Sequence, residues 1–124
     1  MAIQFNENVM FLESQDFDDS GNLIPSSDKP VVTMLLASWC VHCKTTKPVF
    51  QEFANSENGK NVYTAVIYSD GHTAGEKQLS KRLNKLIPNF RGFPTIVKFK
   101  NGKYVGTFEG PRTVDGLKKF AKTN

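Results

Sequence analysis

Apolar residues along this chain fall into five short runs that predict β-strands. The run VVTMLLA at residues 31–37 is nearly all apolar, which is typical of a strand buried on both faces at the centre of a sheet. The last two runs flank Asn101-Gly102, a dipeptide that strongly favours a hairpin turn. The five predicted strands cover residues 9–12, 31–37, 62–68, 95–100 and 104–108.

Between these runs, apolar residues recur at the spacing of amphipathic helices. A helix is predicted over residues 44–55, with Pro48 inside it as a kink and Asn58-Gly59 as its end. A short helix followed by a loop is predicted within residues 15–28. Two more apolar stripes predict helices, one with Leu79, Leu83 and Leu86 and the other with Val114, Leu117, Phe120 and Ala121.

Two threonines are placed to begin the later helices. Thr73 and Glu76 have the spacing of a capping box, and Thr113 is a candidate cap for the last helix. The predicted order is therefore β-α-β-α-β-α-β-β-α. Strands that alternate with helices and end in a hairpin are typical of an α/β domain, with a central mixed β-sheet flanked by helices.

The composition is consistent with one domain over residues 1–124. The chain has 39% apolar residues and ten phenylalanines, enough for a core that needs no disulfide framework. Residues 29–124 are strongly basic, but the lysines are not interleaved with aromatic residues, so we expect no nucleic-acid site. We also expect no membrane span, and without a secretory signal at residues 1–10 a cytoplasmic location is the default expectation.

The stretch ASWCVHCK holds both cysteines, Cys40 and Cys43, and three interpretations compete for them. A structural disulfide over so short a loop would remove little entropy from the unfolded chain. A structural zinc site needs about four ligands, and only His42 and the distant His72 could join the pair. A redox pair fits best, because Cys40 lies where a buried strand ends and a helix begins.

This placement predicts different roles for the two sulfur atoms. Backbone amides at a helix N-terminus favour an anion and therefore a thiolate at Cys40. Cys43 lies one helical turn further along the same face, so it should be more protected than Cys40. Disulfide exchange requires one thiolate that attacks and a second thiol that resolves the mixed disulfide.

Four segments of the chain together resemble the thioredoxin superfamily, and most closely a catalytic domain of protein disulfide isomerase. They are WCVHCK, Pro48 five residues after Cys43, RGFPTIVKFKNGK and FEGPRTVDGLKKF, within a similarity over residues 9–122. The resemblance implies a single thioredoxin-fold domain with thiol–disulfide oxidoreductase activity on protein or peptide substrates. It implies no cofactor or metal beyond the redox-active Cys40–Cys43 pair, and a recycling partner that is a reductase, an oxidase or glutathione.

The same resemblance implies roles for individual residues. Cys40 is the expected nucleophile and Cys43 the resolving thiol. Pro94 is the expected cis-proline facing the disulfide, although it could instead be a proline that starts a strand. The backbone of Phe93 is expected to pair with an extended substrate, and Trp39 to flank the disulfide, although both could simply be packing residues.

Two charged residues are further candidates. His42, between the cysteines, resembles the isomerases and implies a more oxidising disulfide. Arg112 matches an arginine that, in the isomerases, promotes ionisation of the resolving cysteine. The alternative is that Arg112 is an ordinary surface residue near a helix N-terminus.

The sequence departs from the superfamily at a buried charge. A carboxylate is usual six residues before the first cysteine, where this chain has Met34, and its usual lysine partner falls at Val66 or Ile67. Segment 69–89 is also longer than usual. Two alternatives to an isomerase-like enzyme stay open. The expected absence of a leader would suit a cytosolic thioredoxin-like reductant, and Met34 leaves open a redox-silent peptide-binding or chaperone module.

Overall fold

The structure is a computed structural model that describes residues 4–24 and 29–122. Its strands are β1 (Met10–Phe11), β2 (Val31–Leu36), β3 (Tyr63–Tyr68), β4 (Thr95–Lys100) and β5 (Lys103–Thr107). Its helices are α1 (Val41–Glu57), α2 (Ala74–Ser80), α3 (Leu83–Leu86) and α4 (Val114–Lys122), with a 3₁₀ turn at Ser14–Asp16. In the described part of the chain, no helix is long and apolar enough to cross a membrane.

The five strands form one mixed sheet in the order β1-β3-β2-β4-β5, which confirms the predicted fold class. The central strand β2 runs parallel to β3 and antiparallel to β4, while β1 is parallel to β3 and β5 antiparallel to β4. All six residues of β2 are buried, as predicted. The carboxyl ends of β2 and β3 therefore lie side by side, and the loops that follow these strands meet at one edge of the sheet.

Alternate residues of β2 enter two different hydrophobic clusters, because successive strand side chains point to opposite faces. Val32, Met34 and Leu36 pack in the cluster that contains residues of α1 and α4. Val31 and Leu35 pack in the other cluster, which contains residues of α2 and α3. Helices on both faces thus bury the central strand completely, and each fully buried side chain of this kind contributes about 1.5–3 kcal/mol.

The helix predicted around Leu79, Leu83 and Leu86 is two helices, α2 and α3. Its capping box at Thr73 and Glu76 is confirmed, and all three leucines are buried. The break falls at Lys81 and Arg82, whose N–H groups donate to carbonyls three residues earlier. The Arg82 guanidinium donates to the carbonyls of Ser14 and Asp18, so the tight turn ties this segment to the N-terminal part of the chain.

The predicted hairpin between β4 and β5 is confirmed. Asn101 and Gly102 both have positive φ, 53° and 83°, as a two-residue hairpin turn requires. The carbonyl of Gly102 accepts the N–H of Leu23 at 2.7 Å, and a Cβ atom at this glycine would lie 2.6 Å from the Leu23 oxygen. The helix predicted within residues 15–28 is only the 3₁₀ turn, and residues 25–28 lie outside the described residues.

Candidate active site

Cys40 occupies the junction between the central strand and the longest helix. β2 ends at Leu36, and α1 begins at Val41 with Cys40 as its N-cap residue. The Sγ atom of Cys40 accepts the backbone N–H of Cys43 at 3.1 Å. This bond satisfies one of the N–H groups left free at a helix start, and it places an amide dipole against the sulfur.

Both cysteines are free thiols in this structure, and their burial differs less than the sequence led us to expect. Cys40 is 5% exposed and Cys43 is fully buried. Burial raises the pKa of the Cys43 thiol to about 12, and its interaction with the Cys40 side chain contributes to the rise. The asymmetry between the sulfurs is therefore mainly chemical: the Cys40 sulfur accepts an amide hydrogen, whereas Cys43 is held as a thiol.

Trp39 and Phe93 lie together beside this junction. Their rings meet edge to face with centroids 6.0 Å apart, and Phe90 continues the row at 5.3 Å from Phe93. Trp39 is 68% exposed, so it presents a large apolar surface next to Cys40. The Phe93–Pro94 peptide bond is cis, as the resemblance implied. The substrate-binding roles of these three residues remain predictions.

His42 and Arg112 are both exposed. His42 lies in the first turn of α1, and Arg112 lies two residues before α4. The positive charge of Arg112 lowers the pKa of the Cys43 thiol, although this is the weakest of the influences on that group and burial dominates. Arg112 is therefore close enough to Cys43 for an electrostatic effect on its pKa, as its predicted role in ionising the resolving cysteine requires.

Met34 lies inside the cluster that holds both cysteines. It is fully buried, and its Cα pairs with Val66 on β3 and Ile96 on β4. Ile67 points into the opposite cluster, so Val66 is the counterpart of Met34 across the sheet. An apolar pair thus fills the position that a buried ion pair would otherwise occupy, which avoids the cost of removing two charges from water.

One structural contact at the site was not predicted from the sequence. The carboxylate of Asp70 accepts the backbone N–H of Ser38 at 3.0 and 3.1 Å, and it also accepts the Ser38 hydroxyl. Ser38 follows β2 and Asp70 follows β3, so the parallel pairing of these strands brings them together. The positions of the two residues after adjacent predicted strands were the available signal. The contact fixes the loop that carries Trp39 and Cys40.

The alternative of a metal site gains no support from the geometry. Within residues 4–24 and 29–122, no three His, Cys, Asp or Glu side chains cluster in a way that could hold a metal ion. The expectation that no metal or cofactor is bound stays a prediction.

Known sequences similar to this chain include thioredoxin-like proteins and protein disulfide-isomerases. The family model described as thioredoxin matches residues 8–123. A protein named as a putative thioredoxin-like protein 453L, from Invertebrate iridescent virus 6, is 37% identical over a 113-residue alignment that covers 82% of this chain and 82% of that one. Protein disulfide-isomerase erp38 of Neurospora crassa is 33% identical over 96% of this chain, and protein disulfide-isomerase of Ricinus communis is 27% identical over 93%. The chain spans only 30% and 22% of those two isomerases.

Solved structures show the same architecture. The first thioredoxin domain of mouse protein disulfide-isomerase A4 superposes with a TM-score of 0.68 at 23% identity, over 96% of this chain and 76% of that one. The thioredoxin of Malassezia sympodialis superposes with a TM-score of 0.61 at 26% identity, over 98% and 92% of the two chains. The arrangement of β2, α1 and the Phe93–Pro94 segment therefore belongs to a fold that many proteins share.

Proposed function

This chain belongs to the thioredoxin family, and from that premise we propose that it catalyses thiol–disulfide exchange on protein substrates through Cys40 and Cys43. The observation that carries the proposal is the bond from the Cys43 N–H to the Cys40 sulfur at the start of α1. It favours negative charge on one sulfur of the pair, while burial keeps the other protonated.

In the reducing direction, the reaction has two steps. The Cys40 thiolate attacks one sulfur of a substrate disulfide, forms a mixed disulfide and releases the first substrate thiolate, which takes up a proton. The Cys43 thiol then loses its proton and attacks the Cys40 sulfur, forming the Cys40–Cys43 disulfide and releasing the second substrate thiolate. Two electrons pass from the protein to the substrate. Oxidation of a substrate dithiol is the reverse, and isomerisation combines the two.

The second step has an unusual requirement in this protein. With a pKa of about 12, the Cys43 thiol is ionised in only about one molecule in 10⁵ at pH 7. Met34 supplies no carboxylate to accept the proton, so water or the departing substrate thiolate must take it. Two nearby influences favour the Cys43 thiolate: a backbone hydrogen bond with Ala37, which is the larger, and the positive charge of Arg112.

Among the possible directions, we favour an isomerase-like activity. The support is the number of protein disulfide-isomerases among the relatives, together with His42 beside the N-terminus of α1. An imidazolium at that position stabilises a Cys40 thiolate, and hence the reduced form of the pair. A thioredoxin-like reductant is the alternative, and Met34 keeps a redox-silent binding module as a third candidate.

The decisive test compares the two single cysteine variants. Cys43→Ser should trap mixed disulfides with client proteins through Cys40, and dithiothreitol should cleave these adducts by reduction. Cys40→Ser should trap none, and should precipitate no B chain in an insulin-reduction assay in which the wild-type protein is active. Iodoacetamide at neutral pH should label Cys40 much faster than Cys43. If insulin stays soluble with the wild-type protein and neither variant forms adducts, the chain is a binding module.

A further inference from the structure

A small cavity lies against the loop that carries Cys40, with Ser38 in its lining. Its volume is about 180 Å³, and it opens between the end of β3, the exposed strand β1 and the start of α2. Ser38, two residues before Cys40, forms part of its wall, so anything bound here lies beside the redox pair. The residues that line it are Gln4, Phe11, Ser38, Tyr68, Asp70, Gly71, His72 and Glu76.

Two carboxylates give this cavity a negative charge. Asp70 is held by Ser38, and Glu76 accepts the N–H groups of His72 and Thr73 at 3.0 and 3.1 Å as part of the α2 capping box. These bonds fix both carboxylates in place without neutralising them. No lysine or arginine of the described residues lines the cavity.

The remaining wall is aromatic. The rings of Phe11 and Tyr68 stack at 5.7 Å with an interplanar angle of 13°. The Tyr68 ring is largely buried, whereas its hydroxyl is not among the buried unpaired polar atoms of the described residues and makes no hydrogen bond to them. Burial, followed by the charges of Glu76 and Asp70, raises the pKa of Tyr68 to about 12, so the hydroxyl lies within the field of both carboxylates.

We propose that this cavity binds an arginine side chain of the protein client while Cys40 engages the client's disulfide; the proposal rests on the exchange function above. A guanidinium is planar and stacks on aromatic faces, and the half-exposed ring of Phe11, backed by Tyr68, offers one. Its fork of donors suits carboxylates such as Asp70 and Glu76. The unpaired Tyr68 oxygen provides a further acceptor. A lysine ammonium could be attracted by the charge but would stack less well.

Binding can be tested without any redox reaction. The reduced protein is titrated with N-acetyl-arginine amide, and amide NMR shifts are followed. Shifts at Ser38, Gly71 and His72 that N-acetyl-citrulline amide does not reproduce support the proposal, because citrulline keeps the shape and loses the charge. Equal shifts with both compounds, or shifts spread over the surface without a cluster at these residues, overturn it.

Two variants test whether the charge of the cavity is needed for arginine binding in a protein that is still folded. Glu76→Gln removes the charge, and glutamine can still serve in a capping box, so α2 should remain. Glu52→Gln, on the exposed face of α1, makes the same change in net charge away from the cavity. Arginine-dependent shifts should weaken in Glu76→Gln and persist in Glu52→Gln. If Glu76→Gln does not fold, Tyr68→Phe removes only the hydroxyl and should also weaken the shifts.

An exchange assay then links the cavity to substrate choice. Two disulfide peptides are compared that differ only in arginine or citrulline near the cysteine. The wild-type kcat/KM should favour the arginine peptide by about fivefold, the order expected for a partly exposed ion pair with ring stacking. Glu76→Gln should bring the ratio close to one, and Glu52→Gln should keep it.

The outcomes distinguish the two proposals. Exchange on both peptides at equal rates, without arginine-specific shifts, overturns the proposal that the cavity binds arginine and leaves the proposed exchange function unaffected. Arginine-specific shifts without exchange on either peptide overturn the exchange function. A lysine peptide that outperforms the arginine peptide also contradicts the stacked guanidinium.

Discussion

Replacing Met34 by glutamate would place a lone carboxylate at the centre of the sheet. Met34 is fully buried, and the residues paired with it, Val66 and Ile96, are apolar. Neither paired residue carries a compensating charge, and the buried Lys98, which lies opposite Val32 on the same face, already donates to the Phe120 carbonyl, so the pKa of the new carboxyl should rise above the unfolded value of about 4.3. Met34→Gln is the matched control, because it has the shape of the protonated glutamate and cannot ionise.

The sign of the effect follows from proton linkage. A raised pKa in the folded state means that the folded protein holds this proton to higher pH than the unfolded chain does. Below about pH 4 the glutamate and glutamine variants should be equally stable. As pH rises, the glutamate variant should lose about 1.4 kcal/mol per pH unit relative to glutamine, until the folded-state pKa is reached. With a folded-state pKa near 7, the difference at pH 7.5 is about 3–4 kcal/mol.

Urea melts of both variants at pH 4.5 and pH 7.5 measure this difference. We expect a gap between them that is small at pH 4.5 and large at pH 7.5, a serious loss for a domain whose total stability is of the order of 5–15 kcal/mol. A gap of the same size at both pH values would refute the reasoning, because it would mean that position 34 is hydrated or compensated. The carboxylate would also offer Cys43 a proton acceptor, so exchange per folded molecule should rise in Met34→Glu and not in Met34→Gln.

Three further predictions concern the redox pair. Equilibration with glutathione should give a reduction potential on the isomerase side of about −225 mV, midway between typical isomerase and thioredoxin values, and His42→Pro should move it in the reducing direction; a wild-type value near about −270 mV would contradict this. Arg112→Ala should slow resolution of a mixed disulfide in stopped-flow exchange while leaving the first attack nearly unchanged, with partial recovery in Arg112→Lys, whereas equal slowing of both steps would make Arg112 ordinary surface charge. Burial raises the pKa of Cys43 from 9.0 to about 12, so the wild-type protein should lose stability relative to Cys43→Ala as pH rises above about 9, by at most about 1.4 kcal/mol per unit. A stability difference between the two proteins that does not change with pH in alkaline melts would contradict the burial of this thiol.

Local patterns in the sequence were sufficient for most elements, because each pattern has one dominant physical cause. The buried strand β2 followed from an uninterrupted apolar run, and the Asn101-Gly102 turn followed from two residues that tolerate positive φ. The break between α2 and α3 could not be predicted in this way. It depends on the Arg82 guanidinium reaching Ser14 and Asp18, contacts between residues more than sixty positions apart that no local periodicity records.

At the candidate site too, features set by local sequence could be predicted, whereas features set by contacts between distant residues could not. The placement of Cys40 at the start of a helix and of Cys43 one turn further along could be inferred from their spacing and from the strand that precedes them, but the degree of burial at Cys40 depends on how the surrounding loops pack. The contact between Ser38 and Asp70, and the cavity beside it, required the register of β2 against β3. Two charged or polar residues that follow neighbouring strands were visible in the sequence, whereas the pairing of those strands was not.

The buried thiol and the apolar residue beneath it together constrain how this protein works. Under the proposed exchange function, we expect the second step to be slower than the first, because burial raises the pKa of the Cys43 thiol and position 34 offers no acid to accept its proton. A slow second step prolongs the mixed disulfide between Cys40 and the client. A longer-lived mixed disulfide gives another thiol of the same client time to attack, which rearranges the client's disulfides without net reduction. Under the proposed exchange function, Met34 is therefore expected to favour isomerisation over reduction, and Met34→Glu, by speeding resolution, should shift the product ratio on a scrambled substrate toward reduced protein.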